Sequence, residues 1–119
     1  MSFSDLIKNI VDNVNGCSGG MIIGIDGIAV EQYMVEDEII DLQNIGVEYT
    51  SLVKDISDAS RDLGLSNPEQ LTIEYDDTIF ILRSINKEYF IILSLKKSSN
   101  IGKARFLLRK NISALAQQF

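Results

Sequence analysis

Two neighbouring stretches, "TIFILRSI" at 78–85 and "EYFIILSL" at 88–95, are apolar at nearly every position. A strand that buries one face alternates apolar and polar residues, whereas a strand apolar on both faces must be covered from both sides. Only Asn86 and Lys87 separate the two stretches, a spacing that suits an antiparallel hairpin and not a helical crossover. Any fold for this chain therefore contains a sheet with helices above and below it.

The remaining residues supply that cover. Phe3, Leu6, Ile7, Ile10, Val11 and Val14 fall on one helical face, and Ser2 or Ser4 can cap the helix they form. "NGCSGG" at 15–20 ends it and leads into a strand at about 21–25. Asp26-Gly27, inside "GIDGIAVEQY" at 24–33, reads as a two-residue primed turn, followed by a strand at about 28–34. "VEDEIID" at 35–41 is an acidic approach to a helix over about 41–63, since acidic groups are favoured where unpaired amides leave partial positive charge. Leu42, Ile45, Tyr49, Leu52, Val53, Ile56 and Leu63 form its expected buried stripe; Gly64 stops it and Pro68 keeps it from resuming. "LTIEY" at 71–75 alternates, so one of its faces is wet. A last helix follows Asn100 to the end, with Ile101, Ala104, Leu108, Ile112, Leu115 and Phe119 inward.

The order is helix, two strands, helix, three strands, helix. It predicts the α+β class: an α/β sandwich whose five-stranded antiparallel sheet carries two helices on one face and one on the other. The 119 residues suffice for one domain, 1–119, with one core, and the single proline leaves no linker.

Catalytic chemistry is sparse. There is no histidine, and Cys17 sits in a glycine-rich turn without a neighbouring base, so it reads as a loop or semi-buried residue. Glu36, Asp37, Glu38 and Asp41 lack the interleaved glycine and spacing of a calcium loop and read as a solvated helix entry. Asp76-Asp77 reads as a turn pair. No Walker-type motif is present. Neither a metal nor a cofactor is expected, and the chain is not expected to be an enzyme. No apolar run approaches the ~20 residues of a membrane span, "MSFSDLIKNIVDNV" is no signal peptide, and the lone Cys17 suits a cytoplasmic setting.

The net charge of −6 hides an asymmetry. All 17 acids and five of the 11 basic residues lie in 1–88; Lys96, Lys97, Lys103, Arg105, Arg109 and Lys110 stand in 89–119 without an acid. Basic faces bind phosphate backbones. The acidity of the whole and the single aromatic of 96–110, Phe106, weigh against both nucleic acid and membrane lipid. Pairing with acidic surface of the same chain or of a protein partner is the expectation.

Two features point to a partner. On a wheel of 100° per residue, Val47 lies opposite the buried stripe of the second helix, among Thr50, Ser51, Lys54 and Asp58. An apolar residue among short polar ones permits close approach by another chain, although one exposed valine is ordinary in itself. "LTIEY" carries one charge and no proline, so it is a poorly defended sheet edge. Pairing of Leu71, Thr72, Ile73, Glu74 and Tyr75 with the same strand of a second copy would join two sheets and set two second helices side by side. Proline at Ile73 is expected to break that seam by removing a ladder donor.

"GIDGIAVEQY", "IGVEYTSLVKDI" (45–56), "NKEYFIILSL" (86–95) and "IGKARFLLRK" (101–110) together resemble the Roadblock/dynein light chain family, and within it the bacterial MglB type. The resemblance covers essentially the whole chain, and the helix opening Gly-Lys-Ala-Arg-Phe-Leu-Leu-Arg is its most specific piece. It implies a homodimer that binds a small Ras-like GTPase of the MglA type. Its role would be that of a GTPase-activating partner in cell polarity or motility. It further implies that the paired second helices dock on the switch region of the GTPase. The face around Val47, Thr50, Ser51, Lys54 and Asp58, with Arg61 at its rim, becomes the docking surface. No fixed catalytic residue carries over. Longer MglB-type chains have a C-terminal extension beyond the position of Phe119. Roadblock proteins also serve as passive scaffolds, so a non-catalytic adaptor in a larger complex is the alternative. A small-ligand domain, the third reading, predicts a deep polar pocket.

Overall fold

A computed structural model describes residues 1–35 and 38–119. The elements are α1 (Phe3–Asp12), β1 (Cys17–Gly24), β2 (Ala29–Met34), α2 (Leu42–Asp62), β3 (Gln70–Glu74), β4 (Thr78–Ser84), β5 (Tyr89–Lys96) and α3 (Ile101–Ala116). The strands form one antiparallel sheet in the order β2-β1-β5-β4-β3. β5, the strand apolar on both faces, is at its centre.

α1 and α3 cover one face of the sheet, packing Ile7, Ile10, Leu108 and Leu115 against Ile22, Ile81, Ile91 and Leu93. α2 covers the other, over Met21, Ile23, Phe80, Phe90 and Ile92. The sandwich of two helices, sheet and one helix is the expected one.

Helix ends follow their side chains. The Ser2 hydroxyl accepts the Asp5 N–H and the Asp5 carboxylate accepts the Ser2 N–H, a reciprocal cap. Those bonds hold the Asp5 carboxyl below its usual range. Asp41 caps α2 and Asn100 caps α3. Gly64, at φ 74°, ends α2: its N–H donates to the Arg61 carbonyl and the Leu65 N–H reaches back to Ser60. Of the acidic approach, Asp41 is this cap, and Glu38 lies 3.9 Å from Lys96; Glu36 and Asp37 lie outside the described residues.

Three local expectations are corrected. First, "CSGG" is strand and not loop: β1 begins at Cys17, and all eight of its residues are buried. Its glycines make room. A Cβ on Gly19 would stand 2.3 Å from the Met34 Sδ and 2.9 Å from the Tyr33 carbonyl oxygen; one on Gly20 would stand 2.9 Å from Ile7 of α1. Gly20→Ala should therefore cost about 1–3 kcal/mol by overpacking, read as a lower denaturation midpoint at unchanged slope; an unaltered midpoint would refute this packing. Cys17 is buried within the strand, and burial pushes its thiol up to about 12, which keeps it protonated and unreactive.

Second, the β1–β2 loop has four residues, Ile25 to Ile28. The Gly27 N–H donates to the Gly24 carbonyl, so the turn centres on Ile25 and Asp26, and Gly27 follows in the left-handed region at φ 85°. The Asp26 carboxylate accepts the Ile28 N–H. Third, β3 starts one residue early and ends at Glu74, which leaves Tyr75 in the turn. The β4–β5 loop spans 85–88, where the Asn86 side chain accepts the Glu88 and Tyr89 N–H groups. α3 closes at Ala116, and Phe119 is half exposed with its ring stacked on Tyr89.

Candidate functional site

α2 is rotated about its axis relative to the face that its large apolar residues suggest. The residues it buries are Leu42, Gly46, Thr50 and Ser60. The cause lies in β1, whose Met21 and Ile23 rise under the helix. A Cβ on Gly46 would stand 2.6 Å from the Met21 Cε and 2.9 Å from the Ile23 Cδ1. A helix seated on small residues approaches the sheet closely and turns its larger ones outward. Leu52 is consequently 40% exposed and Leu63 73% exposed, although both were expected in the core.

The two flanks of α2 face different ways. Tyr49 leans towards β3: its ring meets Phe80 edge-on, Tyr75 meets the same Phe80, and the two tyrosine hydroxyls are hydrogen-bonded. Burial, aided by that bond, raises the Tyr49 hydroxyl above its usual range. Ile45, Leu52 and Ile56 share this flank by helical spacing. On the opposite flank Thr50 lies beside the β1–β2 loop, where a Cβ on Gly27 would be 3.9 Å from its hydroxyl.

Val47, Ser51, Lys54, Asp58 and Arg61 are exposed and follow one another at intervals of four and three residues. They form a straight ridge about 21 Å long at 1.5 Å per residue. Val47 is 49% exposed at its start. Arg61 at its end is 2.7 Å from Asp58, an exposed pair of low energetic weight. Thr50 does not belong to this ridge. It is 5% exposed, and its hydroxyl donates to the Val47 carbonyl. The same rotation that exposes Leu52 draws Thr50 inward.

β3 pairs with β4 alone. The Tyr75 N–H donates to Thr78 and the Ser84 N–H to the Glu69 carbonyl. Backbone groups of an antiparallel strand alternate in direction. Leu71 and Ile73 therefore turn theirs towards β4, while Gln70, Thr72 and Glu74 turn theirs away from the sheet. This corrects the expectation for Ile73: proline there would break the chain's own ladder before any seam. On the α1/α3 side of β3, the Thr72 hydroxyl accepts from Arg105 and Glu74 pairs with Lys97 at 2.9 Å. On the α2 side Leu71 and Ile73 are half-buried, and Tyr75 and Leu65 are exposed nearby in sequence. The apolar flank of α2 and the open edge thus form one continuous side of the molecule. Sequence reasoning missed the flank, because it counted Leu52 and Leu63 as core. The available signal was the stripe of small residues Gly46, Thr50, Ser57 and Ser60.

A cavity of about 410 Å³ opens between α2, the approach to β3 and the β4–β5 loop, lined by Val53, Ser57, Leu71, Leu82 and Arg83 among others. Its ionisable groups are Glu69, Arg83, Lys87 and Tyr89, a set without an activated nucleophile. Among the described residues, no three His, Cys, Asp or Glu side chains are grouped to hold a metal ion, and no helix is long and apolar enough to cross a membrane.

No protein-family profile matches the chain, and no curated protein does. Solved structures match throughout. MglC from Myxococcus xanthus is 25% identical over 100% of both chains, with a TM-score of 0.72. The gliding protein MglB from Thermus thermophilus is 10% identical, with 96% of this chain and 85% of that one covered and a TM-score of 0.86. A Roadblock/LC7 domain from Streptomyces avermitilis is 10% identical over 97% and 95%, with a TM-score of 0.84.

Proposed function

We propose that this chain, which has the Roadblock/LC7 fold shared by MglC and MglB, is a homodimeric regulator of a small Ras-like GTPase of the MglA type. In this reading it serves cell polarity or motility and works by docking on the switch region of the GTPase. The observation that carries the reading is the division of α2 into a partly exposed apolar flank and an exposed, mostly polar ridge. The apolar flank of Ile45, Leu52 and Ile56 adjoins the open β3 edge and suits a second copy. The ridge of Val47, Ser51, Lys54, Asp58 and Arg61 points elsewhere and stays available to a partner.

A regulator can accelerate phosphoryl transfer by inserting an arginine, worth ~10³ to 10⁵ in rate, or by holding the switch loops in a competent arrangement. Arg61, the one arginine on the ridge, stands at its far end. Reshaping of the switch loops is therefore the mechanism we assign. Phosphate release from a GTP-loaded MglA-type GTPase tests it. Acceleration that survives Arg61→Ala within about threefold supports reshaping; collapse by ~10³ with binding intact identifies an inserted finger. Binding without any acceleration selects the adaptor role.

A further inference from the structure

The cations of 89–119 do not all turn back to the acids of the chain. Lys97 meets Glu74, Lys96 stands 3.9 Å from Glu38, and Arg105 donates to Thr72. Lys103, Arg109 and Lys110 form no ion pair with any described residue. All three are exposed on α3, together with Arg105 and Phe106. Lys103, Phe106 and Lys110 recur at helical spacing along its outward crest, and Arg105 and Arg109 flank them. Phe106 is 51% exposed among these charges. Ala104, Leu108 and Leu115, the apolar side of the helix, are already committed to the core.

We propose that this face of α3 rests on an anionic membrane surface, its cations against lipid phosphates and Phe106 at headgroup level. Basic residues flanking an exposed aromatic on a helix are the chemistry of interfacial binding. The face is a convex crest. The cavities against the β4–β5 loop and the β1–β2 loop include none of the residues of this crest. The net charge of −6 does not oppose this contact. Glu48, Asp55, Asp58 and Asp62 belong to α2, on the far side of the sheet. Two layer spacings of ~10 Å separate α2 from α3, against a screening length of about 8 Å at physiological salt. Within the α1/α3 layer, exposed Asp5 and Asp12 are partly offset by Lys8, against the four cations of α3 named above. The inference is independent of the docking reading, because α3 and α2 cover opposite faces. In the proposed dimer both α3 crests fall on the same side of the joined sheet.

Co-sedimentation of the full chain with vesicles tests it. The probes are phosphatidylcholine alone and phosphatidylcholine with about one-third phosphatidylglycerol, at low salt and at about 0.5 M. Binding is expected to the anionic vesicles only, falling at least ~10-fold at high salt. Lys110→Glu should weaken it at least ~5-fold. Lys87→Glu, the same charge change in the β4–β5 loop, should stay within about twofold. Phe106→Ser should weaken binding several-fold while the folded circular-dichroism spectrum is kept. Equal binding to neutral vesicles, no binding at low salt, or equal losses for Lys110→Glu and Lys87→Glu would each overturn the proposal. A glutamate-rich peptide or duplex DNA that binds where vesicles do not would do the same.

Discussion

Val47→Arg should abolish capture of an MglA-type GTPase, while the chain keeps its fold and the proposed dimer. Val47 is half exposed and opens the ridge, away from the flank that faces β3. A guanidinium there places a hydrated charge where the partner expects an apolar contact, and its length holds the two surfaces apart. An unpaired guanidinium driven into the contact should cost at least about 2 kcal/mol, the scale of an interface hot spot, or roughly 30-fold in Kd. The folded chain tolerates the change because the side chain points to water. Affinity by titration calorimetry and melting by circular dichroism read the two halves of this expectation. Unchanged affinity removes the ridge from the docking surface.

Thr72→Pro should convert the proposed dimer into a folded monomer. Thr72 directs its backbone N–H away from the sheet, so proline removes no bond of the chain's own ladder. It does remove a donor from each copy at a two-fold seam and places a ring where the partner strand must approach. The Arg105 hydrogen bond to the hydroxyl is lost as well, a small, exposed contribution. The dimer dissociation constant should rise at least ~100-fold, by two lost bonds and a steric block. Light scattering at micromolar concentration checks it. A variant that remains dimeric excludes β3 as the seam.

Val47→Arg is also what the sequence alone recommends, whereas the seam proline moves from Ile73 to Thr72, and that difference has a physical source. α1 and α3 were legible because each carries a strong helical period with a cap that agrees with it, and β4 and β5 because each is a short apolar run bounded by turns. β1 was legible only in its second half. Gly19 and Gly20 look like loop residues, yet they are strand residues made small by Met34 and Ile7. α2 was legible in extent but not in orientation. Its large residues define one stripe by hydrophobicity, while Met21 and Ile23 beneath it demand another by volume. Volume wins, because a Cβ driven into a filled core costs more than a leucine left partly wet. That outcome moved Thr50 off the candidate ridge and brought Leu52 out beside the open edge. The direction of each β3 amide depends on register, which residues 71–75 do not encode by themselves.

The claim on which this account rests is that the chain acts as a pair, offering α2 to a GTPase. Size-exclusion chromatography with light scattering, on the chain alone and after addition of a GTP-loaded MglA-type GTPase, tests it most directly. The account predicts twice 13.3 kDa for the chain alone and a heavier complex containing that pair with the GTPase. A mass of 13.3 kDa that the GTPase leaves unchanged would contradict it.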